Sequence, residues 1–335
     1  MKYACLIVWF FLIQSFTHAI SEEGYQEKWE KEVFPFFLDH TEFKYMMSHD
    51  NKLQLHYGLL FNKTSNSNQK LILLLPGRSE PFYKYSELAY DLYQEGYSIA
   101  FFDHRGQGGS ERVLENSEKG HVKSFKYYVH DLEKFMDEVI SPYSFKKRYL
   151  IAHSMGAAAS MMLMAKRNDL FDKAVLSSPM LEPNTGKFKP SVALAYGTAL
   201  RLLGKGEQWA PGESGYETGE FENNRVTQSK ARWEMSTYLY ENYDEFKMGG
   251  VTVDWITTSL GTNNRFVFKY RKVKTPVLLL RAGNDSVVFT RRHEKFCAKA
   301  QKCTLVDYPS AKHEVLMEVD SIRNDILERT FKFFK

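Results

Sequence analysis

Several things are scarce in this chain. Of 335 residues, three are cysteines. Cys5 lies inside the N-terminal apolar run rather than after it, which argues against lipoprotein processing. That leaves Cys297 and Cys303. Charge of one sign is scarce too: the net excess is +4, and the basic residues are scattered. This excludes a nucleic-acid-binding surface built on a basic field. No apolar run is long enough to cross a bilayer comfortably, since a spanning helix needs about 20 such residues. Internal repeats, heptads and low-complexity tracts are absent. The length suits one large domain with an insertion, or two domains.

The N-terminus does carry a short apolar run. "MKYACLIVWFFLIQSFTHA" has one Lys, an apolar stretch from Tyr3 to Ile13, and Ala19 as a plausible last residue before cleavage. This fits a signal peptide over residues 1–19, with an uncleaved anchor as the alternative. The protein is therefore expected to be exported, to the periplasm or outside the cell, with membrane association as the variant. Export would put Cys297 and Cys303 in an oxidising compartment, where a bridge can form. The Cα separation that decides it is not legible in sequence, so a bridge and two free thiols both stand.

Residues 42–62 read as two strands around a turn at Asp50-Asn51. Beyond them, strand candidates at 70–75, 97–102, 148–153, 173–178, 276–281 and 303–308 alternate with helix candidates near 85–95, 125–141, 155–167, 291–301 and 318–334. The strands are near-continuous apolar runs, as expected when both faces are covered. The alternation predicts the α/β class, with a mostly parallel sheet and helices on both faces. One interval, 181–272, has no clean strand and reads as a cap-like insertion into a core made of 20–180 and 273–335. Its 14 aromatics in 92 residues match the 15% of the whole chain, so composition does not mark it as lipid-binding.

Chemistry is suggested at "RYLIAHSMGAAAS". A strand runs into a helix with Ser154 at the junction, between Ala152 and Gly156. Such an elbow needs small neighbours and exposes the serine hydroxyl above the sheet. The first position is usually Gly, and Ala152 is small enough to replace it. The N–H of Met155 points from the helix N-terminus toward a developing oxyanion. An acid and a histidine should follow, each beyond a later strand. Asp285 closes "PVLLLRAGND" and His313 closes "CTLVDYPSAKH". Their plain alternatives are a turn former and a loop histidine, but strand order and triad order agree. The second oxyanion donor is expected from "PGRSEPFYKY", where Gly77 permits close approach and Arg78 supplies the N–H. The Arg78 side chain is read as a solvated surface cation, with contact to an anionic head group as the alternative.

These stretches, together with "DHRGQGGS", "GHVKSFKYYVHDL", "GGVTVDW" and "AKHEVLMEVD", resemble the bacterial lysophospholipases related to monoacylglycerol lipase. These are serine hydrolases of the α/β-hydrolase superfamily. The likeness covers nearly all of the chain after residue 19. Pro76 stands where the monoacylglycerol lipase branch has His, which points to the lysophospholipase branch. The resemblance implies an α/β-hydrolase fold with a cap, and cleavage of an acyl ester through Ser154, Asp285 and His313. It implies a lysophospholipid or monoacylglycerol substrate, transient contact with a membrane surface, and no metal or organic cofactor. It also gives Asp103 and Arg105 a bracing role beside the site. A general carboxylesterase and a non-catalytic binding protein are the rival readings. Epoxide hydrolases and dehalogenases put Asp at the elbow, where this chain has Ser154.

Overall fold

Six apolar runs become the parallel part of an eight-stranded sheet. The computed structural model describes residues 19–63 and 70–335. The N-terminal apolar run therefore lies outside the described residues. The strands are β1 (Thr41–Met47), β2 (Gln54–Leu60), β3 (Lys70–Leu75), β4 (Ser98–Phe102), β5 (Lys147–His153), β6 (Lys173–Ser177), β7 (Val277–Ala282) and β8 (Cys303–Tyr308). Their spatial order is β1-β2-β4-β3-β5-β6-β7-β8. β1 and β2 form the expected hairpin, with Met47 opposite Gln54 and Asn51 at φ 55° in the turn. β2 meets β4 antiparallel, and every later pairing is parallel.

The apolar runs are continuous because each strand faces two cores. On β3, Leu71, Leu73 and Leu75 enter one core, while Ile72 and Leu74 enter the other. Each such side chain contributes about 2 kcal/mol on leaving water. The first core is shared with helices Lys126–Phe135, Ser154–Met164 and Arg291–Cys297, and the second with Ser86–Gln94 and Asp320–Phe334. β8 is an edge strand, and Thr304 and Asp307 reach solvent.

Residues 25–40 form a helical segment that the sequence reading left unassigned. Trp29, Val33 and Phe37, spaced every four residues, are buried in the second core. The Trp29 indole N–H donates to Ser86 Oγ at 3.0 Å.

The interval between β6 and β7 holds helices Pro190–Leu202, Lys230–Asn242 and Val253–Phe266 and no strand. Helix Lys230–Asn242 is tied down by Arg232, which is fully buried. Its guanidinium donates to Glu87 at 2.9 and 3.0 Å, to Asp320 at 2.9 Å, and to the carbonyls of Glu318 and Ile20 at 2.9 and 3.2 Å. Helix Pro190–Leu202 instead leans on Val253–Phe266. The two approach so closely that a β-carbon on Gly197 would stand 2.1 Å from Thr257 Oγ1.

Cys297 and Cys303 are joined by a disulfide, with Cα atoms 4.9 Å apart. Among the described residues, no helix is long and apolar enough to cross a membrane.

Candidate active site

Ser154 sits where β5 ends and the following helix begins, at φ 46°. A non-glycine residue adopts that backbone only where its surroundings enforce it. Three contacts do so here. The Met180 N–H donates to the Ser154 carbonyl at 3.0 Å. Gly156 lies so close to the loop after β3 that a β-carbon on it would meet the Pro76 carbonyl at 2.4 Å. A β-carbon on Gly77 would come within 3.2 Å of Ser154 Cβ. Small residues are therefore required at both places, and the elbow and the β3 loop are pressed together.

His313 and Asp285 arrive from the ends of β8 and β7. His313 Nε2 is 2.8 Å from Ser154 Oγ, and its Nδ1 is 2.7 Å from Asp285 Oδ2. The other Asp285 oxygen accepts the N–H groups of Val287 and Val288 at 2.8 and 3.0 Å. Burial pushes the Asp285 carboxyl up, but the His313 hydrogen bond and charge and these two amides outweigh it. The net pKa lies below the usual carboxylate range. The structure thus brings the three residues into one hydrogen-bonded row.

Met155 is the second residue of its helix, so its N–H has no carbonyl one turn earlier to bond. Arg78 follows Gly77 and lies in the loop pressed against Ser154. Its side chain is not the solvated surface cation expected. It is partly buried, donates from Nη1 to the Gly249 carbonyl at 2.9 Å, and stands 5.8 Å over the Trp255 ring. The expectation failed because both partners come from the β6–β7 interval, far along the chain.

A set of charged residues missed by the sequence reading holds this loop. Glu80 Oε2 accepts the Gly77 N–H at 2.6 Å and the Tyr85 hydroxyl at 2.8 Å. Lys84 is buried between Glu80 and Glu314, at 2.9 and 2.6 Å. Burial works against the Lys84 ammonium, but the charges of Glu314 and Glu80 hold it protonated. Burial also pushes the Glu314 carboxyl up to about 7, with Lys84 pulling the other way. The Glu80–Lys84 spacing of four was a visible signal, but it reads as an exposed helical pair. His153 is buried against His313, with ring centres 4.7 Å apart, and burial lowers its pKa to about 3.

The "DHRGQGGS" stretch braces the same region. Asp103 accepts the N–H groups of Phe82 and Gly109, and Arg105 pairs with Asp131 at 2.5 Å. Gln107 reaches the β3 loop itself. Its amide donates to the Gly77 carbonyl at 2.6 Å and accepts the Ser79 N–H at 3.3 Å.

Ser154 and His313 open into a cavity of about 870 Å³. Val192, Leu200, Val251, Ile256 and Val288 line its apolar wall, and Arg78 stands in it as a cation. Among the described residues, no group of three or more His, Cys, Asp or Glu could hold a metal ion.

The geometry agrees with what the chain resembles. Residues 66–320 match the hydrolase family model described as serine aminopeptidase, S33. The chain belongs to this α/β-hydrolase family. A protein named probable lysophospholipase L2 from Haemophilus influenzae is 32% identical, over 90% of this chain and 94% of its own. Lysophospholipase L2 of Escherichia coli K12 is 31% identical, over 80% and 81%. Among solved structures, monoglyceride lipase of Saccharomyces cerevisiae aligns with a TM-score of 0.67 at 17% identity, covering 88% of this chain and 95% of that one. The chain is an enzyme of the ester-hydrolase type, related to lysophospholipases and monoglyceride lipases.

Proposed function

We propose that the protein is a lysophospholipase that cleaves its substrate's single acyl ester through a Ser154–His313–Asp285 triad. The observation that carries this reading is the hydrogen-bonded row from Asp285 to Ser154 at the floor of a large, mostly apolar cavity. His313 takes the Ser154 proton as Oγ attacks the ester carbonyl, and Asp285 orients the ring and stabilises the imidazolium. The N–H groups of Arg78 and Met155 hold the oxyanion, each such donor being worth about 3 kcal/mol. The glycerol-side alcohol leaves, and water then cleaves the acyl-enzyme.

Residues 181–272 act as a cap in this reading. They supply Val192, Leu200, Val251 and Ile256 to the wall, where a single acyl chain gains about 0.8 kcal/mol per methylene buried. A second chain would need room that the cap occupies.

The cap also carries the membrane-facing surface. Phe188 and Tyr196 are 62% and 55% exposed at the cavity, and Leu202 and Leu203 are 85% and 71% exposed at the C-terminal end of helix Pro190–Leu202. Tyr196 and Leu203 stand about two helical turns apart and so share one face of the helix and its C-cap. Lys187, Lys189 and Lys205 lie exposed around that face. A lipid surface with anionic head groups suits both features. Export by a cleaved signal over residues 1–19 completes the reading, and N-terminal sequencing of the exported protein should begin at Ile20.

The deciding experiment is kcat/KM on a long-chain lysophospholipid, its diacyl parent, the matched monoacylglycerol, a short nitrophenyl ester and an aminoacyl nitroanilide. Preference for the lysophospholipid is expected. Preference for the monoacylglycerol would keep the mechanism and change the substrate. A win for the short ester alone would leave a general carboxylesterase, and a win for the anilide an aminopeptidase.

A further inference from the structure

Most charged side chains buried among the described residues are paired with an opposite charge, whereas Arg78, half-buried in the cavity wall, is not. Lys84 lies between Glu80 and Glu314, Arg105 pairs with Asp131, Arg232 with Glu87, and Arg323 with Glu87 and Asp91. Arg78 has no ion pair among the described residues. The acids that act on it from nearby are occupied otherwise. Glu213 accepts the Val251 N–H at 3.0 Å, and Glu80 is shared by Lys84, Tyr85 and the Gly77 amide. A guanidinium has five N–H donors, and Arg78 uses one of them, on the Gly249 carbonyl. A partly desolvated cation with free donors in a cavity gains from a ligand that brings the opposite charge.

We propose that the Arg78 side chain is the subsite for the phosphodiester of the substrate's head group. This rests on the reading of Ser154 as the nucleophile and deepens it. The same residue would then serve both ends of the glycerol unit. Its main-chain N–H meets the ester oxyanion, and its guanidinium meets the phosphate. The arginine side chain, from amide nitrogen to guanidinium carbon, spans as many bonds as separate the ester carbonyl carbon from phosphorus in a 1-acyl lysophospholipid. The Trp255 face and the Gly249 carbonyl hold the guanidinium in place, which lowers the entropy lost on binding. Planar donors match phosphate oxygens in pairs, so the subsite selects a phosphodiester over the neutral hydroxyl of a monoacylglycerol.

The test separates this subsite from the choice of acyl substrate. Hydrolysis of a neutral nitrophenyl ester is followed with glycerophosphocholine as competitor and glycerol as its uncharged control. Glycerophosphocholine should inhibit the wild type more strongly than glycerol. In Arg78→Met its inhibition constant should rise about tenfold or more, as expected for the loss of a charge-assisted bond. Independently, the ratio of kcat/KM on a lysophospholipid to that on the matched monoacylglycerol should fall by a similar factor, whatever the substitution does to turnover itself. Arg78→Gln keeps a donor for the Gly249 carbonyl and replaces Arg78→Met if melting shows that variant to be unfolded. Equal inhibition of wild type and variant, no inhibition of wild type, or a proportional fall on both lipids would overturn the subsite. A wild type that ignores lysophospholipids would instead overturn the proposed substrate, while the competition assay still reads the anion site.

Discussion

The imidazole of His313 stands between Ser154 and Asp285, 2.8 Å from the hydroxyl and 2.7 Å from the carboxylate. If this row is the reaction centre, Ser154→Ala should cost about 10⁶-fold in kcat and leave the melting temperature near that of the wild type. A fluorophosphonate should label Ser154 and no other serine, as read by peptide mass spectrometry. Labelling elsewhere, or retention of a tenth of the activity, would remove Ser154 from the role.

Asp285→Asn and His313→Ala should each lose several decades of kcat, and the double variant little more, because triad members act as a unit. The Asp285 carboxyl is held below the usual carboxylate range, so it is ionised at neutral pH. Its stabilising contribution is therefore present at neutral pH and is lost only as pH falls through the folded-state value. Any loss of activity between pH 5 and 7 should therefore not track Asp285. An Asp285→Asn enzyme close to wild type would move the acid elsewhere.

Arg232→Met should destabilise the protein by about 3–5 kcal/mol in urea unfolding, because it leaves Glu87 buried beside only Arg323. A change under 1 kcal/mol would mean that the Arg232 cluster contributes little to holding residues 230–242 on the core.

His293 is buried, with Nε2 on the Pro179 carbonyl at 2.8 Å, and burial lowers its pKa to about 4. Between about pH 6.5 and 4 the unfolded chain takes up a proton here that the folded chain does not. Stability from this group therefore falls as pH drops through that window. His293→Gln should reduce the slope of unfolding free energy against pH by close to one proton between pH 6 and 4.5. An unchanged slope would mean that His293 titrates normally in the fold.

Leu202→Ser with Leu203→Ser should weaken partition onto vesicles containing phosphatidylglycerol by about tenfold or more, since two exposed leucines would no longer enter the lipid. Raising salt should weaken binding of the wild type further, through Lys187, Lys189 and Lys205. Co-sedimentation reads both effects, and equal partition of variant and wild type would refute the surface.

What was legible in sequence was what one stretch of chain decides for itself. The runs that became β3 to β7 are apolar throughout because both faces are covered, and the elbow announces itself by small residues around Ser154. Asp285 and His313 were singled out by their places after β7 and β8. Arg78 was misread because its surroundings are set by Gly249 and Trp255, which only the fold brings over it. Glu80 and Lys84 were invisible as a buried pair until Glu314 arrived from the other end of the chain. Residues 25–40 could have been found, since Trp29, Val33 and Phe37 repeat at helical spacing.

Two helices of the β6–β7 interval are held by different means. Lys230–Asn242 is locked to the core by a buried arginine, whereas Pro190–Leu202 rests on a neighbouring helix across Gly197 and Thr257. Changes that reshape the cavity wall at Val192, Tyr196 or Leu200 therefore fall on a helix that the Arg232 cluster does not hold. Over evolutionary time, the lining of the cavity can change without touching the sheet or the elbow. Relatives of one fold can thus diverge in substrate while keeping the sheet and the elbow unaltered.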